Sequence, residues 1–138
     1  MKVVKLLIVL LSVSAFAFAQ TSHRTYNQKS PYTIEVDQTN RKEILRELEE
    51  GKAFLIDVRT PEEYREKHLR NARNIDFRSK DFAAKIGQLD KSKKVYLYCR
   101  SGNRSGQARD SLISLGYSYS YNIGALDSIV DKGFPVAR

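Results

Sequence analysis

From residue 32 onward, short apolar runs alternate with stretches in which apolar residues recur every three or four positions. Thr33-Ile34-Glu35-Val36 alternates as a short strand does. Asn40 with Glu43 resembles a capping box opening a helix whose apolar face is Ile44, Leu45 and Leu48, and Gly51 stops it. The continuous run Ala53-Phe54-Leu55-Ile56 is the pattern of a strand buried on both faces. Thr60, Pro61, Glu62 and Glu63 then supply an N-cap, a proline for the first helical position and acids for the first turn, so a helix starts at once.

The alternation continues with a brief strand at Asn74-Ile75 and a helix from about Asp81 to Leu89, with Phe82, Ile86 and Leu89 on one side. Val95 to Tyr98 reads as a strand, residues 99 to 104 as a tight loop, and Ser105 or Gly106 as the start of a helix that reaches Leu115 and ends at Gly116. Tyr119 to Asn122 reads as the last strand, Leu126 to Val130 as a last short helix and Phe134-Pro135-Val136 as a tail. Strands and helices alternating over short connections predict an α/β fold, with a central parallel sheet of about five strands and helices on both faces. In such sheets, sites form where strands end and helices begin.

The first nineteen residues differ in character. Lys2 and Lys5 precede an apolar run from Leu6 to Ala19, and Ala17-Phe18-Ala19 is a small-x-small site, so residues 1–19 read as a secretory signal peptide cleaved after Ala19. About fourteen apolar residues fall short of the roughly 20 that a bilayer span requires, which argues against a retained anchor. Residues 20–31 are polar and aperiodic, a leader between the cleavage site and a single domain at 32–138. The mature chain is therefore expected in the periplasm or released, without stable membrane insertion.

Composition changes this picture little. Among 138 residues, 41% are hydrophobic and 29% charged, which suits one globular domain. Cleavage removes two lysines from a formal charge of +8, leaving +6. Acids and bases are interleaved (Arg41-Lys42-Glu43, Arg46-Glu47, Glu62 to Lys67), so the charge reads as a mixed solvated surface, and nucleic acid is a poor partner for an exported protein. There is one cysteine, Cys99, which cannot close an intrachain disulfide, and a lone thiol in an oxidising compartment is a liability unless buried or used. Two histidines and one cysteine without ligand spacing predict no metal site, and nothing in the sequence calls for a cofactor.

The segment Cys99-Arg100-Ser101-Gly102-Asn103-Arg104-Ser105 lies between an apolar strand and a helix. Successive backbone N–H groups in such a loop, backed by a helix N-terminus, form a concavity that favours negative charge. A thiol at its start is drawn toward the nucleophilic thiolate, with Arg100 and Arg104 assisting. The same cradle suits a persulfide anion and an anionic sulfur donor. Gly102 fits a left-handed or closely approached position, and Ser105 is placed to cap the helix.

This loop resembles the active-site loop of rhodaneses. Leu55-Ile56-Asp57-Val58-Arg59-Thr60-Pro61-Glu62-Glu63-Tyr64 resembles that family's second signature, and the likeness extends through His68-Leu69, Ala72 to Ile75, Gly116-Tyr117 and residues 122 to 136. A signal peptide on one short domain, with Ser105-Gly106-Gln107-Ala108 after the loop, is further similar to the periplasmic phage-shock-protein branch of the family. The chain departs from the pattern at Lys67, Asn71 and Ala125, where glycines are common, and at Ile129, where tryptophan is frequent. These departures bear on turns and packing more than on sulfur chemistry.

The resemblance implies a single rhodanese-like domain that moves sulfane sulfur from thiosulfate to cyanide or a thiol through a Cys99 persulfide. A protein sulfur acceptor is a further expectation, and the alternative is a sulfur-carrier module with little turnover of free thiosulfate. Cysteine phosphatases of the same fold carry a loop longer by one residue, whereas only Arg100 to Asn103 separate Cys99 from Arg104 here. The cationic loop resembles those that accept thiosulfate. The residues expected to bind substrate are Arg100, Ser101, Gly102, Asn103, Arg104 and Ser105. Asp57 and Arg59, at a strand end, either brace the loop or pair with each other, and structural support is the preferred role. His68 is expected to cap or pack, and His23 lies in the leader.

Overall fold

The computed structural model of the protein describes residues 32–138; the predicted signal peptide at 1–19, the leader at 20–31 and His23 lie outside the described residues. The described chain runs α1 (Gln38–Glu49), β1 (Ala53–Asp57), α2 (Pro61–Glu66), β2 (His68–Leu69), β3 (Arg73–Asn74), α3 (Phe82–Ile86), β4 (Lys94–Cys99), α4 (Asn103–Ser114), β5 (Ser120–Ala125), α5 (Leu126–Asp131) and β6 (Val136–Ala137). Four strands form a parallel sheet in the order β3-β1-β4-β5.

The alternation of side chains along each strand splits the core in two. Ala53 and Leu55 of β1 and Tyr96 and Tyr98 of β4 face one way, toward Ile44 of α1 and Leu126 and Ile129 of α5. Ile56, Val95, Leu97 and Cys99 face the other way, toward Phe82 and Ile86 of α3 and Ala108 and Leu112 of α4. Both strands are therefore apolar on consecutive residues, as strands covered on both faces must be. Each fully buried Leu or Ile is worth about 1.5–3 kcal/mol of transfer free energy. The register across the centre pairs Leu55 with Tyr96 and Asp57 with Tyr98.

Three expectations change. The segment 33–36 is not a strand: a single parallel bridge joins Thr33 to Asn122, so the sheet has four strands rather than about five. The segment is drawn away into the cap of α1, where the Asn40 side-chain amide donates to the Glu35 carbonyl at 2.8 Å. That cap is Asp37, not Asn40. The Asp37 carboxylate accepts from the N–H groups of Thr39 and Asn40, and Asn40 returns a bond to the Asp37 N–H, so Asn40 is the inner member of the box. Finally, the C-terminal tail is not free of structure, because β6 pairs antiparallel with β2 and the Arg70 N–H donates to the Pro135 carbonyl at 2.8 Å.

Helix α2 starts as its sequence dictates. Thr60 caps it, Pro61 occupies the first position, and Glu63 returns a bond to the Thr60 N–H at 2.9 Å. None of the helices among the described residues is long and apolar enough to cross a membrane.

Candidate active site

Cys99 is the last residue of β4, at the carboxyl edge of the sheet, and its side chain is fully buried beneath the start of α4. Gly102 follows with φ of 89°, a left-handed turn that a side chain strains, and the helix begins at Asn103. The turn aims donors at sulfur. Cys99 Sγ accepts from the Gly102 N–H at 3.0 Å, the Ser105 N–H at 3.4 Å and the Ser105 hydroxyl at 3.3 Å.

Ser105 therefore does not cap α4, although its sequence position suggested that it would. Gly102 occupies the cap position and has no side chain to offer, so the sulfur itself takes the N–H of the first turn that a capping oxygen would normally accept. The Ser105 hydroxyl instead lies 2.8 Å from Asn122 Oδ1. Asn122, buried on β5, also donates from Nδ2 to the Gly102 carbonyl at 3.0 Å and accepts the Gly124 N–H at 3.0 Å. One amide thus ties the loop, the hydroxyl and the next strand together. No local pattern marks Asn122 as a site residue, because its partner Ser105 lies 17 residues away along the chain.

The rest of the loop divides into inner backbone and outer side chains. Arg100, Ser101 and Asn103 are exposed. The Ser101 hydroxyl accepts the Asn103 N–H at 3.4 Å, and Asn103 Oδ1 accepts from Gln107, so these two side chains support the helix start. Arg100 is close enough to Asp127 to help hold that carboxyl below its ordinary range, though the Lys67 hydrogen bond at 2.9 Å is the larger cause.

Arg104 is occupied. Its Nη1 and Nη2 donate to the two carboxylate oxygens of Glu63 at 2.8 and 2.9 Å. These bonds, opposed by burial and aided by the Thr60 N–H, hold the Glu63 carboxyl down to about 2, and the same carboxylate pushes Arg104 further up. The acid was visible in the sequence as a first-turn residue of α2. Its partner, 41 residues away, was not.

Asp57 and Arg59 pair with each other in the interior. The Asp57 carboxylate accepts from Arg59 Nε at 3.0 Å, from Nη2 at 2.7 Å and from the Arg59 N–H at 2.9 Å, while Nη2 also donates to the Lys67 carbonyl at 2.6 Å. Burial works against the Arg59 charge, and the Asp57 bonds more than offset it. Tyr98, next to Cys99 on β4, accepts the Leu69 N–H and is pushed well above the ordinary phenol range by burial and by Asp57. The ring of His68 stacks on Tyr64 at 3.7 Å, and its Nδ1 donates to the Tyr64 carbonyl at 2.8 Å, a packing role. Among the described residues, no group of three or more His, Cys, Asp or Glu side chains is arranged to hold a metal ion.

Residues 40–131 match the rhodanese-like domain family. The chain is 38% identical over 74 residues to the thiosulfate sulfurtransferase PspE of Escherichia coli, spanning 54% of this chain and 71% of that one. It is 32% identical over 119 residues to protein YqhL of Bacillus subtilis, spanning 85% and 86%. A solved structure of a rhodanese with anions from E. coli superposes with a TM-score of 0.53 at 34% identity, covering 62% of this chain and 98% of the other. A strand, loop and helix folded around one sulfur atom, within a domain matched over most of its length, make this chain a member of the rhodanese-like family of sulfurtransferases.

Proposed function

We propose that this protein is an exported thiosulfate sulfurtransferase in which Cys99 carries sulfur as a persulfide. The observation that carries the reading is the convergence of the Gly102 N–H, the Ser105 N–H and the Ser105 hydroxyl on Cys99 Sγ. The Cys99 thiolate attacks the sulfane sulfur of thiosulfate. A new S–S bond forms as the S–S bond of thiosulfate breaks, and its electron pair leaves on sulfite. Cyanide or a thiolate then attacks the terminal sulfur, and the Cys99 thiolate departs. Negative charge on sulfur is met by the two N–H groups and by the hydroxyl, whose single proton can turn from Asn122 Oδ1 toward sulfur. Arg100, exposed at the rim, is suited to meet the anionic donor, and Arg104 and Glu63 support the loop from the side. Export rests on Lys2, Lys5 and the apolar run to Ala19.

Incubation with thiosulfate should add about 32 Da to the intact mass, lost on adding cyanide and absent in Cys99→Ser, because a hydroxyl cannot form the carrier bond. An unchanged wild-type mass refutes the reading. Turnover of thiosulfate and cyanide should be ping-pong, with parallel double-reciprocal plots, since no second thiol in the chain can resolve the intermediate. One observation favours a second reading, a carrier loaded by a partner protein: Arg104 is already engaged by Glu63. A mass gain with negligible steady-state turnover selects that reading.

A further inference from the structure

We propose that Glu63 is the specificity-determining residue for the charge of the reagent that reaches Cys99, acting by neutralising Arg104 at the side of the loop. As applied to the sulfur donor, this rests on the sulfurtransferase reading above. The carboxylate is fixed on two sides: Oε2 accepts the Thr60 N–H at 2.9 Å and Arg104 Nη1 at 2.8 Å, and Oε1 accepts Arg104 Nη2 at 2.9 Å. It is the return member of the capping box of α2, so swinging away from the arginine would also break its bond to the Thr60 N–H. Arg104 in turn is the second residue of α4, one position before the serine whose N–H and hydroxyl bond to sulfur. Its side chain is 14% exposed, and that of Glu63 28%, so the pair is partly shielded from solvent.

The other charges around the site follow the same plan. Arg59 is matched by Asp57 and Lys67 by Asp127. The loop therefore does not present the two bare arginines that its sequence contains. It presents an exposed Arg100 and a pre-paired Arg104, and the carboxylate that sets the difference is Glu63. An anion approaching Cys99 meets a site one positive charge weaker than the loop sequence provides, and a dianion is penalised twice as strongly as a monoanion.

Glu63→Gln removes the charge and keeps a carbonyl oxygen for the Thr60 N–H. Two alkylating probes of nearly equal size, iodoacetate and neutral iodoacetamide, read the potential at the single thiol without any need for turnover. The ratio of the iodoacetate rate to the iodoacetamide rate at Cys99 should rise about threefold to tenfold in Glu63→Gln, the effect of about 1 kcal/mol expected for a unit charge screened by water, and the gain should shrink as salt is raised. Glu63→Asp, which keeps the charge, should leave the ratio near that of wild type. Arg104→Gln, which strands the carboxylate, should lower it, and this variant tests the proposal even if Glu63→Gln folds poorly. For turnover, KM for dianionic thiosulfate should fall in Glu63→Gln by roughly the square of the factor seen with a monoanionic aryl thiosulfonate.

An unchanged alkylation ratio in Glu63→Gln and Arg104→Gln, or equal KM shifts for the two donors, overturns the proposal. A changed ratio in a protein that takes no sulfur from thiosulfate would leave the Glu63 assignment standing and refute the proposed activity instead.

Discussion

Replacing Asp57 by Ala tests how much the interior ion pair beneath the loop contributes. The Asp57 carboxylate has no exposed surface and the Arg59 side chain has 7%. Truncation removes the bonds to Arg59 Nε, Nη2 and backbone N–H, and leaves a guanidinium inside the fold with the Lys67 carbonyl, at 2.6 Å, as its hydrogen-bond acceptor. Breaking a buried pair from one side costs about 3–5 kcal/mol, because the remaining charge is uncompensated. That is a large part of the about 5–15 kcal/mol that holds a domain of this size together. A urea titration should show the midpoint falling with little change in slope. Arg59→Met should cost a similar amount by stranding the carboxylate. The double variant Asp57→Ala with Arg59→Met should lose less than the two single losses added, with a coupling of about 2–3 kcal/mol. Single losses below about 1 kcal/mol, or strict additivity, would refute the view that this pair is a coupled interior element.

Two further outcomes follow from the site. Gly102→Ala should cost about 1–2 kcal/mol by urea titration and lower sulfur transfer, because φ is 89° while the added Cβ would meet Gly124 Cα at an unstrained 3.5 Å; Gly102→Asn, which tolerates left-handed backbone, should cost less, and equal losses would assign the effect to space instead. The Glu63 carboxyl is depressed from 4.5 to about 2, so its contribution is fully present above about 4.5 and disappears as pH falls toward about 2. The full shift corresponds to about 3 kcal/mol, and partial solvent exposure reduces this to about 1–2 kcal/mol. Wild type should exceed Glu63→Gln by that margin at pH 7 and converge with it only as pH falls below about 2, and a constant gap would deny the linkage.

What the sequence made legible were the features written in neighbouring residues. The apolar run at Ala53 to Ile56, the Thr60-Pro61 helix start and the strand before Cys99 depend on local pattern, and each lies within a residue or two of its predicted place. The β2–β6 pair joins two-residue strands 68 positions apart, for which no period exists. The departures from the family pattern have backbone explanations. Asn71 takes a φ of 68°, which asparagine tolerates better than most residues, and so can stand where glycine is common. Lys67 is extended, at φ −165°, and Ala125 is at φ −94°, so neither position needs a glycine, whereas Gly124 at 99° does. Ile129, on α5, is buried in the core and packs there without a ring.

The helix start after the loop was misplaced for an instructive reason. A capping search looks for an oxygen, and Ser105 supplies one. Here the acceptor for the first-turn N–H is the sulfur of Cys99, six residues earlier on a different element. The charges are completed in the same way: Arg100 and Arg104 look equivalent when the loop is read alone, yet one is exposed and the other is held by a carboxylate from α2. Because the loop arginine and the serine hydroxyl are each completed by a residue distant in sequence, the chemistry at sulfur is set by Glu63 and Asn122 as well as by the loop. Transplanting residues 99–105 alone into another strand–loop–helix site should therefore transfer the thiol and its two N–H donors but leave Arg104 unpaired and the Ser105 hydroxyl unanchored. Such a graft should differ from the native site most in its discrimination between anionic and neutral reagents, the property that Glu63 controls.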